Sequence, residues 1–457
     1  MLETPKIPKV INYLLEGPVV KSIFKISLPI IFANVLLTAY QLIDTFWVGR
    51  LGVNAVAAVS LSFPLIFFLN SLAMGFTLAG SILISQYNGK GDKRNVDLAL
   101  GQTFTFVTLV AIVLSIIGYF SAGFALSFLT SDAAVLPEAT IYLQISFITM
   151  VATFIYTIFQ SALRGIGEVK LPMIIILITV ILNFLLDPLF MFGYGPIPAM
   201  GVAGVAYATL ITEVLSALIG IGILIMGRYR LKLLWVDLKP RFVWIKKLFN
   251  LGLPSSVEMS IRSLGMMLMI VLVSTFGTLT VAAYGVGVKI LSLAIIPAMG
   301  FAMAATTLVG NNLGAKQHKR VEKISKAAIK IAFSTLTVLG LLVFLFAKPI
   351  SAFFVPNDIP LVEMSAIFIR IIAFTFGLVG IQMVIIATIR AAGEATTAMF
   401  LAMLQTFFLF VAGYILAVIM HLGEDGLWWA YPISNVFGVI VAFLYYRKKD
   451  WLKRELV

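Results

Sequence analysis

Two aspartates occupy positions where a charge needs an explanation. No charged residue lies between Lys25 and Asp44, and none lies between Lys170 and Asp187. An ionised carboxylate inside an apolar span costs a few kcal/mol even on the milder insertion scales. Each aspartate therefore needs a partner, an aqueous cavity or a function.

Oxygen-bearing residues accompany both aspartates at helical spacing. Tyr40 precedes Asp44 by four residues, and Asn183 precedes Asp187 by four, so each pair lies on one helix face. The next span brings Thr209 to a similar depth. A cluster of carboxylate, amide and hydroxyl oxygens could bind Na⁺ or a proton. The predicted ion-coupling residues are Tyr40, Asp44, Asn183, Asp187 and Thr209, and Asp44, Asn183, Asp187 and Thr209 are the candidate Na⁺ ligands.

The alternative is that each aspartate only caps a helix break or pairs with a buried base. No basic residue lies at that depth in the first six spans. The sequence therefore favours ion coupling.

Other residues are candidates for gating and for a substrate cleft. Pro29 removes a backbone hydrogen bond near the start of the first span and permits a bend there. Glu258 and Arg262 are four residues apart in the seventh span, where they either line a cleft or neutralise each other. Glu213 and Met269 complete the predicted cleft.

Several kinds of catalytic and cofactor site are absent from the sequence. There is no cysteine, and His318 and His421 are isolated in loops. The glycine-rich stretches beginning at Gly89, Gly165 and Gly285 lack the residues of a nucleotide-binding motif. We therefore expect no enzyme activity, no cofactor beyond a coupling ion, no nucleotide and no nucleic acid.

The elements that must position these residues are membrane-spanning helices. The chain of 457 residues is 61% hydrophobic and only 12% charged. Apolar runs of roughly 20 residues recur along it, which is the signature of transmembrane helices. The sequence predicts an all-α polytopic membrane protein with about twelve spans. Their approximate bounds are 24–47, 54–84, 98–120, 138–162, 171–192, 203–226, 249–275, 281–309, 325–346, 363–388, 396–419 and 427–446.

Lysine and arginine set the expected orientation. One set of loops carries nearly all of them, and the opposite loops carry only Arg50 and Lys348. The positive-inside rule places the basic set in the cytoplasm, so we expect a multi-pass plasma-membrane protein with both termini inside. The longest basic loop, Arg228–Lys247, is predicted to lie on the inner leaflet as a linker. Recruitment of a specific lipid or of a calmodulin-like partner is the alternative.

The two halves of the chain repeat one unit. A shift of 225 residues places Pro29 on Pro254 and Ala73–Phe76 on Ala298–Phe301. Each repeat holds about six spans, so the repeats are parallel and related by a pseudo-twofold axis along the membrane normal. We predict an N-lobe over 1–230, a basic cytoplasmic linker over 231–248 and a C-lobe over 249–457.

The acidic pair belongs to one half only. Asp44 corresponds to Met269, and Asp187 corresponds approximately to Gly413. Residues found in one repeat only are better candidates for chemistry than residues that both repeats need for folding. The coupling site is therefore expected in the N-lobe.

Four stretches resemble the multidrug and toxic compound extrusion (MATE) family of the MOP superfamily. They are Ala282–Val321, Arg164–Met173, Arg390–Met399 and Gly201–Glu213, together with the SLP and GLP that open the two lobes. The resemblance implies a functional monomer among membrane lipids that exports cationic or amphipathic drugs in exchange for H⁺ or Na⁺. A lipid-linked precursor flippase of the same superfamily is the alternative.

Within the family, the first-lobe acids look like the archaeal, DinF-like branch. There the positions equivalent to Asp44, Asn183 and Asp187 form the cation-coupling site, with Tyr40 nearby. The NorM-like branch uses acids of helices seven and ten. Glu258 fits helix seven here, but helix ten offers Arg370 and no mid-span acid, which argues against a second-lobe ion site.

Overall fold

The computed structural model describes residues 9–128, 132, 135–356, 358–453 and 456, and these residues form helices without a named strand. Side chains of residues 9–12 and 453 are outside this description. The helices are α1 Lys9–Glu16, α2 Val19–Val48, α3 Val53–Lys90, α4 Lys93–Ser127, α5 Leu136–Gly165, α6 Lys170–Phe192, α7 Val202–Met226, α8 Phe242–Ser274, α9 Thr278–Gly314, α10 His318–Leu345, α11 Ala347–Phe354, α12 Ile359–Ala373, α13 Phe376–Ala391, α14 Ala395–Tyr414 and α15 Gly423–Lys448.

Eleven helices of the described chain are long and apolar enough to span a membrane. The predicted span 363–388 is formed by the pair α12 and α13, which bends by 48° at Phe374 and Thr375 and brings the number of spans to twelve. Thr375 donates a hydrogen bond to the Ile372 carbonyl oxygen at 2.9 Å, and Asn435 donates one to Thr375 at 2.9 Å. Polar side chains thus provide hydrogen-bond partners at the break between the two helices, as a bent span requires. The prediction of an all-α polytopic fold is confirmed.

The chain divides into two compact units. The N unit is Phe32–Ser256, and the C unit is Val257–Val457 together with Met1–Ile31. The divisions fall inside α2 and α8, close after Pro29 and Pro254, and not in the linker at 231–248. The start of α2 is thus grouped with the C unit and the linker with the N unit, and the division into two lobes and a linker stays a prediction.

In the N unit, α5 packs against α3, α4 and α7, and α7 packs against α6. The contact between α6 and α7 requires a glycine. A Cβ atom at Gly204 would overlap the backbone of Phe190 and Met191. This close approach holds the polar face of α7 near the aspartate of α6.

In the C unit, α13 packs against α9 and α10, and α14 packs against α15. Its core holds an aromatic cluster of Tyr284, Phe368, Trp428 and Tyr431, in which the two tyrosine hydroxyls lie 2.8 Å apart. Buried tyrosines need such a partner for their hydroxyl groups.

The segment 227–241 between α7 and α8, named the strap here, is fastened to α4. Asp237 is fully buried and accepts two hydrogen bonds from Arg94, at 2.5 and 2.6 Å. Gln102 donates to the carbonyl oxygens of Asp237 at 2.6 Å and Lys239 at 2.8 Å. The Lys232 backbone N–H donates to Asp97 at 2.9 Å. The predicted linker is therefore an ordered part of the N unit and not a free tether.

Candidate functional site

The structure brings Asp44 of α2 and Asp187 of α6 together. Their carboxyl groups are close enough to interact directly. Asp187 and Asn183 are fully buried, and the Asn183 amide donates to Asp187 Oδ1 at 3.1 Å. The i, i+4 spacing places these two side chains side by side on α6. Three of the five predicted coupling residues thus form one cluster.

Three oxygens of this cluster are buried without a hydrogen-bond donor among the described residues. They are Asp44 Oδ1, Asn183 Oδ1 and Asp187 Oδ2. Two ionised carboxylates cannot hydrogen-bond each other, and a buried charge without a partner is costly. A proton between the carboxyls, or a cation bound to the three oxygens, would supply what is missing. The cluster can therefore take up one positive charge.

Tyr40 and the threonines of α7 form the next layer. The Tyr40 hydroxyl shares a 3.3 Å hydrogen bond with Thr212 Oγ1, and it also lies near Thr209. Thr212 is buried and donates to the Ala208 and Thr209 carbonyl oxygens, at 3.1 and 3.0 Å. The structure thus places predicted Tyr40 and Thr209 in this layer together with Thr212, which the sequence also brings to this depth.

Glu213 lies in the same region of the N unit. Its carboxylate is within hydrogen-bonding contact of Thr153 and within electrostatic range of Tyr40, Asp44 and Tyr156. Its Oε2 atom is buried and has no hydrogen-bond donor in the described part of the chain. The sequence grouped Glu213 with C-lobe residues of a substrate cleft. The structure groups it with Tyr40 and Asp44 because α7 carries it one residue beyond Thr212.

Polar residues of α5 were missed in the sequence. Tyr142 lies within electrostatic range of Asp44 and Asp187, and Thr153 contacts Glu213. A signal was present, because polar residues recur at helical spacing along this span. They are Tyr142, Ser146, Thr149, Thr153 and Thr157.

No ion pair reaches Asp44, Asp187 or Glu213 among the residues the structure describes. The same residues contain no group of three or more His, Cys, Asp or Glu side chains placed to hold a metal. The donor set at Asp44, Asp187 and Asn183 consists of oxygens, which suits a hard cation or a proton. It does not suit zinc or another metal that prefers nitrogen or sulfur ligands.

The predicted cleft residue Glu258 is a buried ion-pair partner in the C unit. Its carboxylate lies 3.1 Å from Arg390 and 3.4 Å from Arg262. Glu258 is 3% exposed, whereas the Arg262 side chain is 39% exposed. This arrangement matches the alternative of charges that neutralise one another, and a cleft role for Glu258 and Arg262 stays a prediction.

Met269, also predicted for the cleft, is buried in the core of the C unit at 1% exposure. Its Sδ and Cε atoms lie 3.6 Å from the position of a Cβ built on Gly413. The repeat therefore brings equivalent positions together in both units, Asp44 with Asp187 and Met269 with Gly413. In the C unit the contact is apolar. Met269 does not line a surface in this structure, because neighbouring core side chains cover it.

The fold and the site together define a class. The described part of the chain has eleven or twelve helices able to span a membrane and an acidic cluster with buried, unpartnered oxygens, and the sequence has two halves related by a repeat. These are the features of a membrane transporter and not of an enzyme.

The family follows from a direct match. The MatE family model matches this chain twice, at residues 29–189 and 254–415, so the chain belongs to the MATE family. The two matches begin 225 residues apart, at Pro29 and Pro254, which confirms the internal repeat.

Relatives match over nearly the full length. The chain is 28% identical to the probable multidrug resistance protein YoeA of Bacillus subtilis, covering 100% of this chain and 99% of that protein. It is 24% identical to an FAD transporter of Shewanella oneidensis, covering 94% and 95%. A solved outward-facing structure of a multidrug resistance MATE family transporter of the MOP superfamily superposes with a TM-score of 0.92 at 26% identity, covering 98% of this chain and 100% of that one.

Proposed function

We propose that this transporter is a secondary active multidrug efflux antiporter. It exports cationic or amphipathic drugs in exchange for H⁺ or Na⁺, which binds at Asp44 and Asp187. The observation that carries the proposal is the carboxyl pair of Asp44 and Asp187, in which each carboxyl has one buried oxygen without a donor and neither has a basic partner among the described residues. Within the family, this site follows the archaeal, DinF-like pattern.

The coupling follows from charge. With the cluster empty, two acids face each other in an environment of low dielectric, which disfavours the ionised pair. A bound proton or Na⁺ removes this repulsion and supplies the missing partner. The ion therefore favours whichever conformation brings the two carboxyls together. A conformation that separates them releases the ion.

The available energy fits drug export. One monovalent cation moving down ~100 mV and ~1 pH unit supplies about 2.3 + 1.4 kcal/mol. That supports a drug gradient of roughly a few hundred-fold for a neutral substrate. A cationic drug reaches a smaller gradient because its own charge moves against the potential.

The proposed setting is the plasma membrane, with the basic loops and both termini in the cytoplasm and with the monomer as the functional unit. The asymmetry of lysine and arginine between alternate loops supports this orientation. The chain would then take drugs from the cytoplasm or the inner leaflet and release them outside.

The proposed substrate class is supported by the transport proteins that this chain resembles and by the acidic character of the site. Multidrug resistance proteins are among the relatives, and one relative is an FAD transporter. The acidic cluster of the N unit favours positively charged cargo over anions. The flippase alternative is not favoured, because a pyrophosphate needs free basic groups and Glu258 already pairs with Arg262 and Arg390.

The decisive variant is Asp44→Asn in proteoliposomes with an imposed H⁺ or Na⁺ gradient. We expect coupled drug transport to fall to the level of empty liposomes while the protein remains folded and inserted. Asp358→Asn is the matched control, because Asp358 is an exposed helix N-cap whose capping role asparagine preserves. Undiminished transport by Asp44→Asn would contradict the proposed function.

A further inference from the structure

The strap presents an exposed face that is both basic and apolar. Trp235 and Val236 are 80% and 72% exposed, and Phe242 and Val243 at the start of α8 are 79% and 67% exposed. Single exposed apolar residues are ordinary, but four large ones within nine residues form a patch that needs a partner. The basic residues of the same stretch are all exposed: Arg228, Arg230, Lys232, Lys239, Arg241 and Lys246.

The single acidic residue of the segment from Arg228 to Lys247 is buried in the structure. Asp237 is the one acidic residue between Arg228 and Lys247, and it is fully buried against Arg94. The exposed face therefore carries positive charge alone.

The exposed face is also held in one shape. Tyr229 and Arg230 both have positive φ, at 58° and 63°, a conformation that non-glycine residues rarely adopt. The Leu233 N–H donates to the Leu224 carbonyl oxygen at 3.0 Å, and Thr105 donates to that of Leu238 at 2.8 Å. These hydrogen bonds on the buried side fix which side chains point outward. Binding a partner therefore costs the strap little conformational entropy.

We propose that the strap is a binding site for anionic phospholipid. The basic groups at 228, 230, 239 and 241 contact lipid phosphates, and Trp235, Val236, Phe242 and Val243 insert at the boundary between headgroups and acyl chains. Interleaved basic and aromatic residues are the pattern of segments that bind an anionic membrane surface. The strap directly joins two spanning helices, which keeps it within reach of the bilayer.

The chain contains no cysteine, so a single introduced cysteine can be labelled specifically to test the proposal. The full chain with Trp235→Cys is labelled with a nitroxide and reconstituted in phosphatidylcholine vesicles, with or without one part in four of phosphatidylglycerol. Spin-relaxation accessibility to oxygen reports burial in the bilayer, and accessibility to a water-soluble nickel chelate reports exposure to water. We expect phosphatidylglycerol to lower nickel accessibility at least threefold and to raise oxygen accessibility.

Two charge variants in the Trp235→Cys background make the test specific. Replacing Arg228, Arg230 and Lys239 by Gln should weaken binding to the anionic surface about fivefold per charge, so the response to one part in four of phosphatidylglycerol should be lost. Replacing Lys319, Lys323 and Lys330, which are exposed on α10, removes the same net charge and should leave the response unchanged. A label equally accessible to nickel in both vesicles would overturn the proposal. An equal loss in both variants, or protection by soluble polyglutamate in place of lipid, would also overturn it.

Discussion

At the residue scale, the acids of the N unit differ in their neighbours. Asp44, Asp187 and Glu213 each have one buried oxygen without a donor among the described residues, but Asp44 and Asp187 are paired with each other, whereas Glu213 lies beside Thr153. Their contributions to transport should therefore differ. The aspartate pair needs an added positive charge to be stable, and Glu213 only modulates the site from beyond Tyr40.

Glu213→Gln should weaken coupled transport without abolishing it. Glutamine keeps a hydrogen-bonding partner for Thr153 but removes a charge near Tyr40 and Asp44. We expect a five- to tenfold loss in initial rate under a limiting gradient, which corresponds to about 1 kcal/mol. Asp187→Asn, measured in the same proteoliposomes, should match the complete loss expected for Asp44→Asn. A complete loss in Glu213→Gln would instead place this acid within the primary site.

The residue scale also shows what the sequence could reveal. Asp44, Asp187 and Asn183 were predictable, because a charge in an apolar span and an i, i+4 partner are both visible in the sequence. The sequence assigned Glu213 to the substrate cleft because it does not reveal which face of α7 is turned toward Tyr40. It assigned Met269 to the same cleft because correspondence to Asp44 in the repeat does not reveal whether neighbouring side chains cover a residue.

At the element scale, two helix contacts shape the N unit. Gly204 permits α7 to approach α6, and the strap is fixed to α4 through the ion pair of Arg94 and Asp237. Neither contact could be predicted from hydropathy, which locates spans but not their packing partners. The positions of the spans themselves were predictable, because length and apolarity determine them.

Gly204→Ala should destabilise the N unit by about 1–3 kcal/mol, because the added methyl group overlaps the backbone of α6. Gly222 is the matched control in the same helix. A Cβ at Gly222 meets no atom within 4 Å, so Gly222→Ala should be neutral or stabilising by up to about 1 kcal/mol. Thermal unfolding in detergent measures both variants. A lower midpoint for Gly222→Ala than for Gly204→Ala would contradict the packing described for α7.

The two partners of the strap's ion pair should respond unequally. Arg94→Ala leaves the buried Asp237 carboxylate without its main partner, which costs about 3–5 kcal/mol. Asp237→Ala leaves an arginine whose side chain is 54% exposed and can be hydrated, so its effect should be smaller. Lys348→Ala, which breaks an exposed pair with Glu363, should change stability by at most about 1 kcal/mol. Equal destabilisation by Arg94→Ala and Lys348→Ala would show that the strap is not fixed by its ion pair.

At the scale of the whole molecule, the repeat organises both units, yet only one carries the acidic cluster. Equivalent positions meet in each unit, as carboxyls in the N unit and as a thioether against a glycine in the C unit. The repeat was predictable from the sequence, and the family match confirms it. The division of the chain within α2 and α8 was not predictable, because it depends on tertiary contacts and not on loop composition.

Orientation is testable because the chain contains no cysteine. Single cysteines at Arg50 and at Lys239 should react differently with a membrane-impermeant maleimide in intact cells. We expect Arg50→Cys to be labelled directly and Lys239→Cys to be labelled only after permeabilisation, because basic loops remain in the cytoplasm. The reverse pattern would invert the proposed topology.

The central claim is that Asp44 and Asp187 bind the coupling ion. It is tested most directly by letting a drug gradient drive ion movement. Proteoliposomes without an ion gradient or a membrane potential are given a drug gradient, and internal pH and Na⁺ are followed with trapped dyes. The wild-type protein should move H⁺ or Na⁺ opposite to the drug, and Asp44→Asn and Asp187→Asn should move neither ion. Drug movement by the wild-type protein without any ion movement, or ion movement that persists in either variant, would contradict the account.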